Sequence, residues 1–218
     1  MNFVVAPSIL ASDLSNTTTA IRKIESIENA WVHLDIMDGC FVPMITFGSS
    51  FVRDLRKTTN LIFDVHLMVN SLEKQIELFT DAGADYITFH IEATNFPFRL
   101  IKKIKDAGKK AGISVNPSTP LLFIEPLLSS IDLLLLMGVE PGYAGQEFID
   151  ISLHKIREAT SLREKNKVNV LISVDGGINN KTALNALEAG ADILVMGSYF
   201  FSNSFESVKE FLSTLRSK

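Results

Sequence analysis

The sequence predicts an α/β protein built as a (β/α)8 barrel (TIM barrel). Three observations point there. Short apolar runs alternate eight times with stretches that carry apolar residues at helical spacing. No gap between them is long enough for a linker, so 1–218 reads as a single domain. A chain of 218 residues suits such a barrel, and 46% of them are hydrophobic, enough for a large core. An open doubly wound sheet is the alternative. It usually has fewer units, and the first strand–helix turn here lacks the G-x-G-x-x-G of a dinucleotide site.

The first strand is expected over 3–10, followed by Ser12-Asp13 and a helix over 15–27. The second strand covers 30–37. A loop over 38–48, punctuated by Gly and Pro, leads into a helix that ends near Lys57. The third strand covers 61–69. Ser71 is placed to cap a helix carrying Leu72, Ile76 and Phe79 on one face. Strand four is expected over 86–92 and its helix over 97–109. Strand five covers 112–116, with a short helix over 121–129. Strand six covers 131–139, then a glycine-rich loop, then a long helix over 148–165. Strand seven covers 168–175, its helix 180–189, strand eight 192–197, and a closing helix 205–216. Ala-Gly-Ala-Asp recurs at 82–85 and 189–192, each time between a helix and the next strand, and reads as a shared way of making that turn.

Composition excludes several functions. The net charge of −4 argues against a nucleic-acid surface, which needs clustered Lys and Arg. The one basic cluster, Lys102, Lys103, Lys105, Lys109 and Lys110, reads as a solvated helix face. The longest apolar run, 131–139, contains Asp132 and is far too short to span a bilayer, so no membrane partner is expected. Cys40 is the only cysteine, which forbids an internal disulfide and fits a cytoplasmic location. The start of the chain shows no basic region followed by a long apolar run, so no signal peptide is expected.

In a barrel of this kind the working groups sit at the C-terminal ends of the strands. Six titratable groups fall there: His33 and Asp35, His66, His90 and Glu92, and Asp175. His33 and Asp35 are two residues apart, which in a strand puts them on one face. Two His and two Asp from this set would suit a divalent metal with mixed nitrogen and oxygen ligands, and Zn, Fe(II), Mn and Co all fit. Two stretches read as phosphate loops. One is Pro141-Gly142-Tyr143-Ala144-Gly145-Gln146; the other is Gly176-Gly177 together with Gly197-Ser198. Glycines let backbone N–H groups approach an anion closely, and late-strand loops are common phosphate sites in barrels. These loops contain no Lys or Arg, so the donors would be mainly backbone N–H groups. Met37, Met68 and Met137, at strand ends, could line a pocket floor or simply fill the core.

The motifs resemble those of the ribulose-phosphate 3-epimerase family over nearly the whole chain. They are Ala-Pro-Ser-Ile-Leu-Ala-Ser-Asp (6–13), His-Leu-Asp-Ile-Met-Asp-Gly (33–39), Phe-Val-Pro (41–43) and Ile-Thr-Phe-Gly (45–48). Asp-Val-His-Leu-Met-Val (64–69), Val-Glu-Pro-Gly-Tyr-Ala-Gly-Gln-Glu-Phe (139–148), Val-Asp-Gly-Gly-Ile (174–178) and the last Gly-Ser complete the set. The resemblance implies an enzyme that interconverts D-ribulose 5-phosphate and D-xylulose 5-phosphate in the pentose phosphate pathway. It implies one divalent metal held by His33, Asp35, His66 and Asp175, with Asp35 and Asp175 also acting as acid and base. By the same resemblance Ser8 and His66 contact the substrate. Gly142, Tyr143, Ala144 and Gly145, with Gly176, Gly177, Gly197 and Ser198, hold its phosphate end. No organic cofactor is implied, and the family assembles into homo-oligomers.

Four positions depart from the family pattern. Cys40 stands where His is usual, Met44 where Asn is usual, Gly138 where Ser or Thr is usual, and Ala144 where Gly is common. The changes at Cys40 and Met44 keep two alternatives open: a ketohexose 6-phosphate substrate such as allulose 6-phosphate, or a sugar-phosphate-binding paralogue without activity. The Asp-x-Lys-x-x-Asp of the orotidine monophosphate decarboxylase barrels is absent.

Overall fold

The computed structural model describes residues 1–143 and 145–218. Among these residues eight strands form one parallel sheet: β1 (Val4–Pro7), β2 (Val32–Met37), β3 (Phe63–Met68), β4 (Tyr86–His90), β5 (Lys110–Val115), β6 (Leu133–Met137), β7 (Leu171–Asp175) and β8 (Ile193–Met196). The order is β1-β8-β7-β6-β5-β4-β3-β2. Parallel bridges Val5–Ala30 and Ser8–His33 join the two edges, so the sheet curls round on itself as the barrel requires.

Helices cover the outside: α1 (Thr17–Glu25), α2 (Ser49–Arg56), α3 (Leu72–Asp81), α4 (Pro97–Asp106), α5 (Ile151–Asn166), α6 (Ala183–Glu188), α7 (Ser198–Ser202) and α8 (Phe205–Arg216). Pro97 opens α4, where its missing N–H costs nothing. Ser204 caps α8 by accepting from the Ser207 N–H. Alternation along the strands divides the core in two. Outward residues such as Val65, Ile87 and Ile113 pack against helix residues Val52, Ile76 and Ile104. Inward residues Ala6, Trp31, Leu133, Leu135, Met137, Ile193 and Val195 fill the barrel.

The repeated Ala-Gly-Ala-Asp does the same work twice. Gly83 and Gly190 take φ of +98° and +109° to leave the helix. The following Asp then accepts from an N–H at the start of the neighbouring strand, Asp85 from Phe63 and Asp192 from Ile172, each at 2.8 Å. Asp132 does this for Ala111 at 2.9 Å, which explains a carboxylate at the head of an apolar run.

Several expected elements need correction. The first strand, expected over 3–10, ends at Pro7, and Ile9–Ala11 is a 3-10 turn. The helix expected over 121–129 is a pair of 3-10 turns, Leu121–Phe123 and Glu125–Ser130. Pro126 sits in its middle and removes a helical N–H. Strand four stops at His90, and Glu92 lies in a 3-10 turn, Ile91–Ala93. The short helix α7 after β8 was not expected.

Candidate active site

His33, Asp35, His66 and Asp175 come from β2, β3 and β7 and meet at the C-terminal end of the barrel. One ligand atom from each lies within 4.8 Å of the other three. The β2–β3 ladder sets this up. It pairs His33 with Asp64 and Asp35 with His66, so each imidazole sits beside a carboxylate. His33 Nδ1 lies 2.8 Å from Asp64 Oδ2, while His33 Nε2 faces Asp35 Oδ1 at 3.3 Å and Asp175 Oδ2 at 3.8 Å. His66 Nδ1 lies 3.1 Å from Asp35 Oδ1 and 3.8 Å from Asp175 Oδ2. Ser8 Oγ donates to Asp35 Oδ2 and fixes the carboxylate from the far side.

Burial and charge push these groups apart. Burial opposes ionisation of Asp35, but His33 and His66 outweigh it and hold its carboxyl far below the usual range. Asp175 is pushed up to about 7 by burial and by the charge of Asp35, with His33 pulling the other way. Burial works against a charged His33, yet Asp35 and Asp64 together raise it well above an ordinary histidine. His66 is lowered to about 4, chiefly by burial.

The donor set fits a divalent metal on an observation independent of family. His33 Nε2 is fully buried and has no hydrogen-bond partner, although it points at two carboxylates. Its other nitrogen is held by Asp64, so once Nε2 gives up its proton its lone pair faces the two carboxylates, where a cation would sit. Asp64 is the functional residue that sequence reasoning missed. Its signal was there: Asp64-Val65-His66 repeats the two-residue spacing of His33-Leu34-Asp35 on the next strand.

Asp35 and Asp175 open into a cavity of about 390 Å³. Ser8, Gly142, Tyr143, Gly145, Gly176, Gly177, Gly197 and Ser198 all line it, as do Met37, Met68 and Met137. Ala144 lies outside the described residues. His33 and His66 have no exposed side-chain surface and do not line the cavity. Among the described lining residues there is no Lys or Arg. Gly138 has its reason nearby: a side chain there would run into the Gly176 carbonyl and the Phe148 ring. Cys40 is exposed, and Met44 packs on Met37, Val42 and Met68; neither lines the cavity.

The profile of the ribulose-phosphate 3 epimerase family matches residues 4–201. The chain belongs to the ribulose-phosphate 3-epimerase family. It is 46% identical over 207 residues to a ribulose-phosphate 3-epimerase of Treponema pallidum, covering 95% of each chain. To that of Bacillus subtilis it is 44% identical over 201 residues, covering 92% of this chain and 93% of the other. Among solved structures, a mutant tryptophan synthase alpha-subunit from Pyrococcus furiosus superposes with a TM-score of 0.72 at 13% identity, covering 99% of this chain and 98% of that one. At that identity the likeness speaks for the barrel alone.

In this epimerase-family chain the loop after β2 is tied down by Asp38. Its Oδ1 accepts from the Cys40 and Phe41 N–H groups at 2.8 and 2.9 Å, and its Oδ2 from the Asn70 N–H at 2.8 Å. Burial raises its carboxyl somewhat, but these three donors outweigh it and hold it below the usual value. A depressed pKa contributes stability that is fully present above the ordinary aspartate value and is lost as pH falls from there through the depressed folded value. Asp38→Asn is therefore expected to lower stability by about 1–2 kcal/mol at pH 7. The gap to wild type should narrow below about pH 4. Urea unfolding of both proteins from pH 7 to 3 checks this, and a constant gap would contradict it.

Proposed function

We propose that the chain interconverts D-ribulose 5-phosphate and D-xylulose 5-phosphate by moving a proton at C3. Asp35 and Asp175 would be the two proton carriers. The observation that carries this reading is their placement: both carboxylates open into one cavity that glycine loops also line. Inverting a carbon beside a carbonyl removes a proton from one face and returns one to the other, and two carboxylates do this most simply. Their environments already separate the roles. Asp35 is held ionised, as a base requires, and Asp175 is pushed up to about 7, where it can hold a proton to give.

His33, Asp35, His66 and Asp175 would hold one divalent ion, Zn, Fe(II), Mn or Co. When bound, such an ion supplies electrostatic stabilisation for the negative charge that develops on the sugar oxygens. Ser8 orients Asp35. Backbone N–H groups of Gly142, Gly145, Gly176, Gly177, Gly197 and Ser198, with Tyr143 at the rim, would hold the phosphate. The absence of Lys and Arg among the described lining residues leaves that work to the backbone. A cytoplasmic setting suits the free Cys40 thiol. Cys40 and Met44 raised the ketohexose phosphate alternative, and their position off the cavity wall favours the pentulose.

Turnover of ribulose 5-phosphate by chelator-treated protein is expected to fall about a hundredfold or more and to return when a divalent metal is restored. Undiminished turnover without metal would remove the ion from the scheme. A higher kcat/KM for allulose 6-phosphate would replace the pentulose.

A further inference from the structure

His90 and Glu92 take no part in the chemistry above, yet they form a chain that ends on His66. His66 turns Nδ1 toward Asp35 and Asp175, so Nδ1 is its nitrogen at the four-residue cluster. Its other nitrogen, Nε2, lies 2.9 Å from His90 Nε2. His90 Nδ1 lies 3.1 Å from Glu92 Oε2. Neither imidazole has exposed side-chain surface. Glu92 Oε1 accepts from the Asn116 N–H at 2.8 Å and from the Thr119 hydroxyl. Lys155 holds that loop in turn: its Nζ donates to the carbonyls of Asn116, Pro117 and Thr119 at 2.8, 2.7 and 2.6 Å.

Two ring nitrogens at this separation share one proton. An ionised carboxylate only accepts. Burial opposes the charge on Glu92, but His90, Thr119 and Asn116 outweigh it and bring its carboxyl down to about 2. Glu92 therefore calls for a proton on His90 Nδ1. His90 Nε2 is then bare and accepts from His66 Nε2–H. That leaves the lone pair of His66 Nδ1 aimed at the cluster. His33 gets the same service from Asp64 directly, at 2.8 Å.

We infer that Glu92, acting through His90, is a positioning residue that sets His66 in the tautomer able to bind a metal ion. The inference rests on the metal site proposed above and adds a support on which that site depends.

Glu92→Gln separates this role from mere packing. The Asn116 N–H cannot reverse, so the new amide oxygen stays with it and with Thr119. The amide NH2 then faces His90 Nδ1 and donates. Both imidazoles invert, and His66 carries its proton on Nδ1. Zinc affinity, measured by chelator competition on protein shown by circular dichroism to be folded, is expected to drop about 10–100-fold against wild type. A packing role predicts that the near-isosteric glutamine restores it, and unchanged affinity overturns the inference. NMR of zinc-loaded wild type with 15N-labelled histidine gives a reading that needs no variant. Protons on His66 Nε2 and His90 Nδ1 are expected, and a proton on His90 Nε2 overturns the inference. Wild type that fails to bind zinc would remove the metal site and this support together. Zinc-binding wild type with an unaffected Glu92→Gln removes the support alone.

Discussion

Asp175→Asn is expected to lower kcat for ribulose 5-phosphate by about a hundredfold or more, some 3 kcal/mol in the barrier, at saturating metal. An amide neither takes a proton from carbon nor gives one back. The fold should tolerate the change well. In the metal-free protein the carboxylate of Asp175 is disfavoured by burial and by Asp35, so a neutral isostere relieves that cost; with metal bound it takes away one of the four groups that would hold the ion. Its side chain is 17% exposed, and the substitution leaves the β6–β7 ladder untouched. The melting temperature of the metal-free protein should therefore hold while turnover falls. Exchange of the C3 proton with deuterated water gives the finer reading, since a proton carrier lost from one face abolishes exchange there. Near-normal turnover would rule out the role.

Gly177→Ala should cost about 2–5 kcal/mol of stability. Gly177 has φ of +68°, where a side chain costs about 1–2 kcal/mol. A Cβ there would also lie 2.5 Å from the Phe148 N and 2.7 Å from its Cα. Those are main-chain atoms at the approach to α5, and forcing them apart adds about 1–3 kcal/mol. For a chain of 218 residues this corresponds to a fall in Tm of about 5–15 °C. The displaced segment follows directly on the loop that carries Gly142 and Gly145, so KM for the sugar phosphate should rise as well. Calorimetry and steady-state kinetics on one preparation test both, and an unshifted Tm would show that the turn accepts a side chain.

The barrel was legible because burial on both faces makes parallel strands read as apolar runs, and eight such runs stood out. Their ends were less so. Apolar residues continue past β1 and β4 into 3-10 turns at Ile9–Ala11 and Ile91–Ala93, and nothing in hydrophobicity marks where pairing stops. Ser198–Ser202 is too short to show a helical period. The cluster of His33, Asp35, His66 and Asp175 was visible from strand ends and same-face spacing, with the family resemblance choosing four groups from six. What the spacing could not say is which group faces which. Asp64 looked like one more polar residue in a strand until the ladder placed it against His33. His90 and Glu92 looked like further rim groups, whereas they stand behind His66, on the side of its ring away from Asp35 and Asp175.

The β2–β3 pairing has one more consequence. Sliding one strand by two residues keeps every inward side chain inward, so hydrophobic burial cannot forbid it. The polar residues can. A slip one way sets His33 opposite His66 and leaves Asp35 against Met68; the other way sets Asp35 against Asp64. Either error buries a carboxylate without its imidazole, at a cost of several kcal/mol. The residues that would hold the metal thus also act as a key that admits one alignment of these two strands and rejects its nearest imitations.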